Sequence, residues 1–188
     1  MYKQEPVLGK KREFCPPQAT VDALVLMNKT IAHVGLRWAI KPPPGRSPLW
    51  LQLVIAVLDE AGIPIEGLEL RITWRPREQS RGDYCKMNFL LSYHGRRIRG
   101  VDTYPFDRHT NRCEVPGLQL DRSLLGPHLH FYVESVTDEE PARSLGVILD
   151  PDDINGYWRY FCKECNIAFL GDLPDPGASN TPQMSLEL

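Results

Sequence analysis

Histidine is scarce in this chain, five of 188 residues, yet three of the five fall between positions 109 and 130. They come in two short clusters, Asp107-Arg108-His109-Thr110-Asn111 and Gly126-Pro127-His128-Leu129-His130-Phe131-Tyr132. His128 and His130 stand two apart in a run of β-formers, so a strand there sends both imidazoles out of one face of a sheet. Imidazole exchanges protons near neutrality and is the commonest transition-metal ligand, so such a face either moves protons or holds an ion. A metal site needs a third ligand, for which His109, Asp107 and Asp102 are the candidates. Proton transfer needs none: cleavage of RNA by its own 2′-hydroxyl requires a base, an acid and a cation for the phosphorane, which two histidines and an arginine supply without a metal or cofactor. His128, His130 and His109 are thus candidate catalytic groups, with Asp102 orienting one of the bases.

The cation has several sources. Between Arg71 and Arg112 the chain carries ten Lys or Arg residues against four acids, although its formal net charge is −2. Arg97, Arg99 and Arg108 are the candidate phosphate-binding residues, since guanidinium groups grip phosphate oxygens in pairs. Strict alternation through residues 96–102 places Arg97, Arg99 and Val101 on one face, and Arg96, Ile98, Gly100 and Asp102 on the other. The plain alternative is a solvated sheet face whose charges keep an edge from pairing with other chains. Cys162 and Cys165 have a redox or zinc spacing, but both fall on the apolar stripe of a helix and read as core. The sequence contains no P-loop, dinucleotide fingerprint or Gly-x-Ser-x-Gly elbow, which disfavours nucleotide-driven and serine-hydrolase chemistry.

The elements that must position these groups follow from periodicity. Thr20 as an N-cap and apolar positions from Val21 to Ala32 predict a helix closing near Gly35. Leu36 to Ile40 alternates as a short strand before Pro42-Pro43-Pro44-Gly45. Leu49 to Leu58 is nearly all apolar, as for a strand buried on both faces. Leu68 to Arg75 alternates, and Tyr84–Tyr93 and Arg96–Tyr104 form a hairpin about His94-Gly95. Strands from His128 to Glu134 and from Ser144 to Leu149 follow. Asp152-Asp153 then opens a helix whose Ile154, Tyr157, Trp158, Phe161, Cys162 and Cys165 make one buried stripe. The expected architecture is α+β: a largely antiparallel sheet of about six strands covered on one face by an N-terminal and a C-terminal helix.

Residues 1–19 read as a flexible basic arm, 20–172 as one domain, and 173–188, rich in Pro, Ser, Asn and Gly, as a disordered tail. No apolar run is long enough to span a bilayer, and the N-terminal residues lack a signal-peptide pattern. Five cysteines without a disulfide framework fit a reducing compartment, so a cytoplasmic location without membrane contact is expected.

The run Arg99-Gly100-Val101-Asp102, His109-Thr110-Asn111, Gly126-Pro127-His128-Leu129-His130 and Phe161-Cys162-Lys163-Glu164-Cys165-Asn166-Ile167 resembles an uncharacterised family of small bacterial and phage proteins. That family has a His-x-Asn turn, a Pro-His-Ile/Leu-His strand and a helix ending in Cys-Asn-Ile. The resemblance covers roughly residues 84 to 169. Its first part also looks distantly like the TumE-type toxins of toxin-antitoxin operons, with Val101 where those toxins carry an aromatic before the aspartate. The resemblance implies a toxin-like protein of a defence locus acting on RNA, with a cognate antitoxin as protein partner. Two other readings stay open. One is a non-catalytic interaction protein binding nucleic acid or a protein through its basic sheet face; the other is a metal-dependent hydrolase using the histidines.

Overall fold

The structure, a computed structural model, describes residues 14–32, 34–43, 49–78, 83–136, 139–169 and 171–178. Most of the expected arm, residues 1–13, and the end of the expected tail, residues 179–188, lie outside the described residues. In chain order the elements are α1 (Gln18–Leu26), β1 (Thr30–Ile31), β2 (Ala39–Ile40), β3 (Leu51–Leu58), β4 (Pro64–Arg75), β5 (Lys86–Tyr93) and β6 (Arg96–Asp102). They continue with β7 (Arg108–Thr110), β8 (Ser123–Leu125), β9 (His128–Phe131), β10 (Ala142–Ser144) and α2 (Ile154–Glu164). The fold is α+β, and among the described residues its main sheet has eight strands rather than about six. Strand order is β1-β3-β4-β5-β6-β9-β10, with β2 pairing the other end of β3. Every pairing is antiparallel. Strands β7 and β8 form a separate two-stranded ribbon.

Register converts the alternation of each strand into rows across the sheet. One face carries Leu53, Ile72, Phe89, Val101 and Leu129 as consecutive cross-strand partners, all buried. Phe89 stacks on Trp158 and Phe161 of α2, with centroids 6.2 and 5.5 Å away. Val21 and Val25 of α1 join the same core. The α2 stripe matches the sequence expectation, with Tyr157, Trp158, Phe161, Cys162 and Cys165 all buried. Asp153 caps the helix by accepting the Gly156 N–H at 2.7 Å.

Several boundaries differ from the sequence expectation. Strand β3 is buried on one face only: Leu51, Leu53, Ile55 and Val57 point inward while Val54 is 53% exposed. The chain leaves α1 at Leu26 instead of continuing toward Gly35, because Thr30 and Ile31 pair with β3. Strand β10 comes earlier than the expected Ser144–Leu149 strand, and the strand expected from Leu36 is confined to Ala39–Ile40. At the expected tail, Leu173 is buried and the Pro174 carbonyl accepts the Trp38 indole N–H at 2.8 Å. Among the described residues, no helix is long and apolar enough to cross a membrane.

Candidate functional site: three histidines on one sheet face

The face opposite the helices presents two polar rows where β6 meets β9. Asp102 is the cross-strand partner of both Asn88 and His128, and Gly100 is the partner of His130. Side chains of paired residues emerge on the same side. Asp102, His128 and His130 are therefore neighbours by register alone. The Pro127-His128-Leu129-His130 alternation achieves what the sequence implies: Leu129 enters the core while both imidazoles leave it.

His109 arrives from the ribbon. It pairs with Leu124, which is buried, so both point from the ribbon toward the main sheet. Its ring centroid lies 5.2 Å from that of His128 and 4.9 Å from that of His130, and the latter two are 4.7 Å apart. A nitrogen from each of the three rings lies within 4.8 Å of the others. The structure thus brings the three sequence-predicted histidines together. His128 and His130 are buried, and His109 is half-buried.

Hydrogen bonds orient each ring. His128 Nδ1 lies 2.8 Å from the Gly126 carbonyl, an acceptor only, so that nitrogen carries the proton. His130 Nδ1 faces the Glu140 carbonyl at 3.3 Å. His109 Nε2 lies 3.2 Å from Asn111 Oδ1. The amide orientation of Asn111 is fixed: its Nδ2 donates to the Asp121 and Ala142 carbonyls at 2.7 and 2.9 Å, while its Oδ1 accepts the Ala142 N–H at 2.9 Å. Oδ1 is therefore the acceptor and His109 the donor. With these protons in place, the lone pairs left on neutral rings are on Nδ1 of His109 and on Nε2 of His128.

Asp102 faces the Nε2 atoms of both strand histidines and accepts a hydrogen bond from that of His130. Its Oδ2 lies 3.2 Å from His130 Nε2 and 3.6 Å from His128 Nε2. Its Oδ1 accepts a hydrogen bond from the Asn88 amide. Burial works against its charge. The hydrogen bond and charge of His130, the Asn88 amide and Arg97 outweigh that effect and hold the carboxyl well below the usual carboxylate range. Burial, with repulsion from the neighbouring histidines, lowers the pKa of His109 and His128.

The arginines distribute differently from the sequence expectation. Leu91 pairs with Arg99 but Ser92 pairs with Arg97, so a bulge at Ile98 interrupts the alternation. Arg97 moves to the histidine face, where its Cδ lies 3.3 Å from the position a Gly100 Cβ would occupy. There it pairs with Glu140 at 3.2 Å. Arg99 stays on the helix face between Leu91 and Phe131 and is no part of the histidine cluster. Arg108 points away from the sheet, exposed, with Nη1 3.3 Å from Ser123 Oγ. Part of the wider basic stretch is neutralised: Arg71, Arg75 and Lys86 pair with Glu69, Asp83 and Asp107, respectively.

Sequence reasoning gave no role to Asn88 or Asn111, the two amides that hold Asp102 and His109. The signals were a single amide inside the apolar run Met87-Asn88-Phe89-Leu90, and the i, i+2 spacing of His109 and Asn111. No protein-family model matches this sequence, and no curated protein or solved structure matches it either.

Proposed function

We propose that this chain is a metal-dependent hydrolase whose His109, His128 and His130, with Asp102, hold a divalent ion of the zinc class. The observation that carries the reading is the hydrogen-bond set: the Nδ1 atoms of His128 and His130 face backbone carbonyls, and their Nε2 atoms face a shared carboxylate. Metal-bound histidines are characteristically oriented in this way by a carbonyl or carboxylate behind the ring. The present spacing, up to 4.8 Å between ring nitrogens, compares with about 3.4 Å around a tetrahedral zinc with bonds near 2.05 Å. An ion would draw the rings inward by up to about 1.4 Å on that comparison.

Three histidines leave one position for water, whose pKa the ion lowers toward neutrality. Asp102 either completes the ligand set or takes that water's proton. Arg97 lies on the same face and suits an anionic ester. RNA, the substrate implied by the resemblance, is one such ester, although the paired arginines give it little additional hold.

The test is metal content followed by turnover. Purified protein is dialysed against zinc or manganese, its metal measured by mass spectrometry, and cleavage of bis(4-nitrophenyl) phosphate and of RNA followed with and without chelator. One bound ion and chelator-sensitive cleavage, both lost in His128→Ala/His130→Ala, is the expected result. Cleavage that survives chelator but not the double substitution would replace this reading with metal-free acid-base chemistry. A stoichiometric ion without cleavage of either ester would remove the hydrolase assignment and leave a metal-binding module.

A further inference from the structure

Alternation from Asp102 places Arg99, with Val101, on the helix side of the sheet, where it has a different setting. Arg99 lines a cavity of about 550 Å³ on the other side of the sheet, between the start of α1, the chain leaving β9 and the turn at residues 115–118. That volume is typical of small-molecule sites. The walls are mainly apolar, with Val115, Pro116, Leu118, Phe131 and Val133 among them. Leu118 is 53% exposed at the rim.

Arg99 is the only cation among the described residues lining this cavity. A guanidinium has five N–H donors. Here the one protein acceptor among the described residues is the Ile98 carbonyl, at 3.0 Å. No carboxylate among them lies within ion-pairing distance of Arg99. The neighbouring acids are engaged elsewhere: Glu164 with Arg143 at 2.9 Å, and Asp22 with the Gln18 side chain at 2.8 Å. Glu134, the acid in the cavity wall, accepts the Gln18 backbone N–H at 2.7 Å and so occupies the N-terminus of α1. One unpaired guanidinium under apolar walls matches a single planar monoanion, which it can bind in bidentate fashion.

We propose that this cavity binds a small carboxylate with an apolar body, a medium-chain fatty acid being the simplest example. The carboxylate sits on Arg99, and the chain lies along Val115, Leu118, Phe131 and Val133. A phosphate dianion would leave a charge uncompensated, and a neutral lipid would leave the guanidinium bare.

The experiment titrates the full chain by calorimetry with decanoate and, separately, decanol, below their aggregation limits. Chelator is present throughout, so the histidine face plays no part. The proposal expects saturable one-to-one binding of decanoate at least 10-fold tighter than of decanol. Arg99→Met should weaken decanoate by 10-fold or more and leave decanol unchanged. Leu118→Asp, at an exposed rim position, should weaken decanoate without disturbing the fold and decides the matter if Arg99→Met does not fold. Equal binding of acid and alcohol, no saturable binding of decanoate, or unchanged affinity in Leu118→Asp would overturn the proposal.

Discussion

On the proposed metal reading, Asn88 and Asn111 separate the ability to hold an ion from the ability to fold. Asn88 donates to Asp102 from the adjacent strand, and its main chain stays within the β4–β5–β6 ladders whatever its side chain. Replacing a supporting group of this kind typically costs 10- to 100-fold in metal affinity. Asn88→Ala should therefore lower zinc affinity by about that factor, measured by competition with a chromophoric chelator, with little change in melting temperature. Asn111→Ala should lower affinity and stability together, because the Ala142 N–H and carbonyl also depend on that side chain. An unsatisfied buried group costs roughly 1–3 kcal/mol, and this substitution exposes two. Equal metal affinity in wild type and Asn88→Ala would show that Asp102 needs no positioning. The histidines themselves were legible in sequence because His-x-His on a strand fixes a shared face. The convergence of His109 was not, because it depends on a ribbon folding back over a sheet whose strand order no local pattern encodes. The face of Arg97 was illegible for a different reason: the bulge at Ile98 is one extra residue, and alternation has no means of counting it, whereas Arg99 stays with Val101 as alternation has it.

Among the elements, α1 shows how a buried charge can end a helix. Lys29 is almost fully buried, and its ammonium donates to the carbonyls of Leu24, Val25 and Met27 at 2.6, 3.0 and 2.7 Å. Asn166, just beyond α2, covers the Leu26 carbonyl at 2.6 Å. These are the orphan acceptors of a helix end. Burial pulls the Lys29 pKa down to about 8, while the three carbonyls still use its protons at neutral pH. Apolar periodicity alone carries the helix on through Ile31, whereas the actual stop depends on a tertiary contact between α1 and the residues after α2. Lys29→Met keeps the stem but strips three buried acceptors, and should cost about 2–4 kcal/mol in urea unfolding at pH 7. Lys29→Arg, a poorer geometric match, should fall between the two. The β5–β6 hairpin was readable because Gly95 adopts positive φ in the turn. Its docking was not: Gly67, at φ 74°, lies against the His94 ring, where an added Cβ would sit 2.5 Å from the nearest ring atom. Gly67→Ala should destabilise by roughly 2–3 kcal/mol, more than Gly95→Ala, which meets only the conformational cost of about 1–2 kcal/mol.

At the scale of the molecule, the core concentrates thiols on the side away from the histidines. Cys85, Cys162 and Cys165 are buried, and burial pushes Cys85 and Cys162 up to about 12 and Cys165 still higher. In the unfolded chain a thiol titrates near 8.5. Above that value the folded state holds more protons than the unfolded state, so stability is full below about pH 8.5 and falls as pH rises toward 12. Each thiol contributes a slope approaching about 1.4 kcal/mol per pH unit. Lys29 acts in the opposite sense, since its folded pKa near 8 lies below its unfolded value, and it offsets about one thiol between pH 8 and 10.4. Three thiols against one amine leave a net loss of roughly 2–3 kcal/mol per unit between pH 9 and 10. Urea midpoints at pH 8, 9 and 10 under reducing conditions measure it, and Cys162→Ala should reduce the slope by about 1.4 kcal/mol per unit. Because the proposed metal ligands lie on the opposite face, the alkaline loss should be the same with and without zinc once each titration is referred to its own pH 8 midpoint. A slope that depended on the ion would mean that the two faces of the sheet unfold as one unit with the site, and that the histidines contribute to the stability of the core.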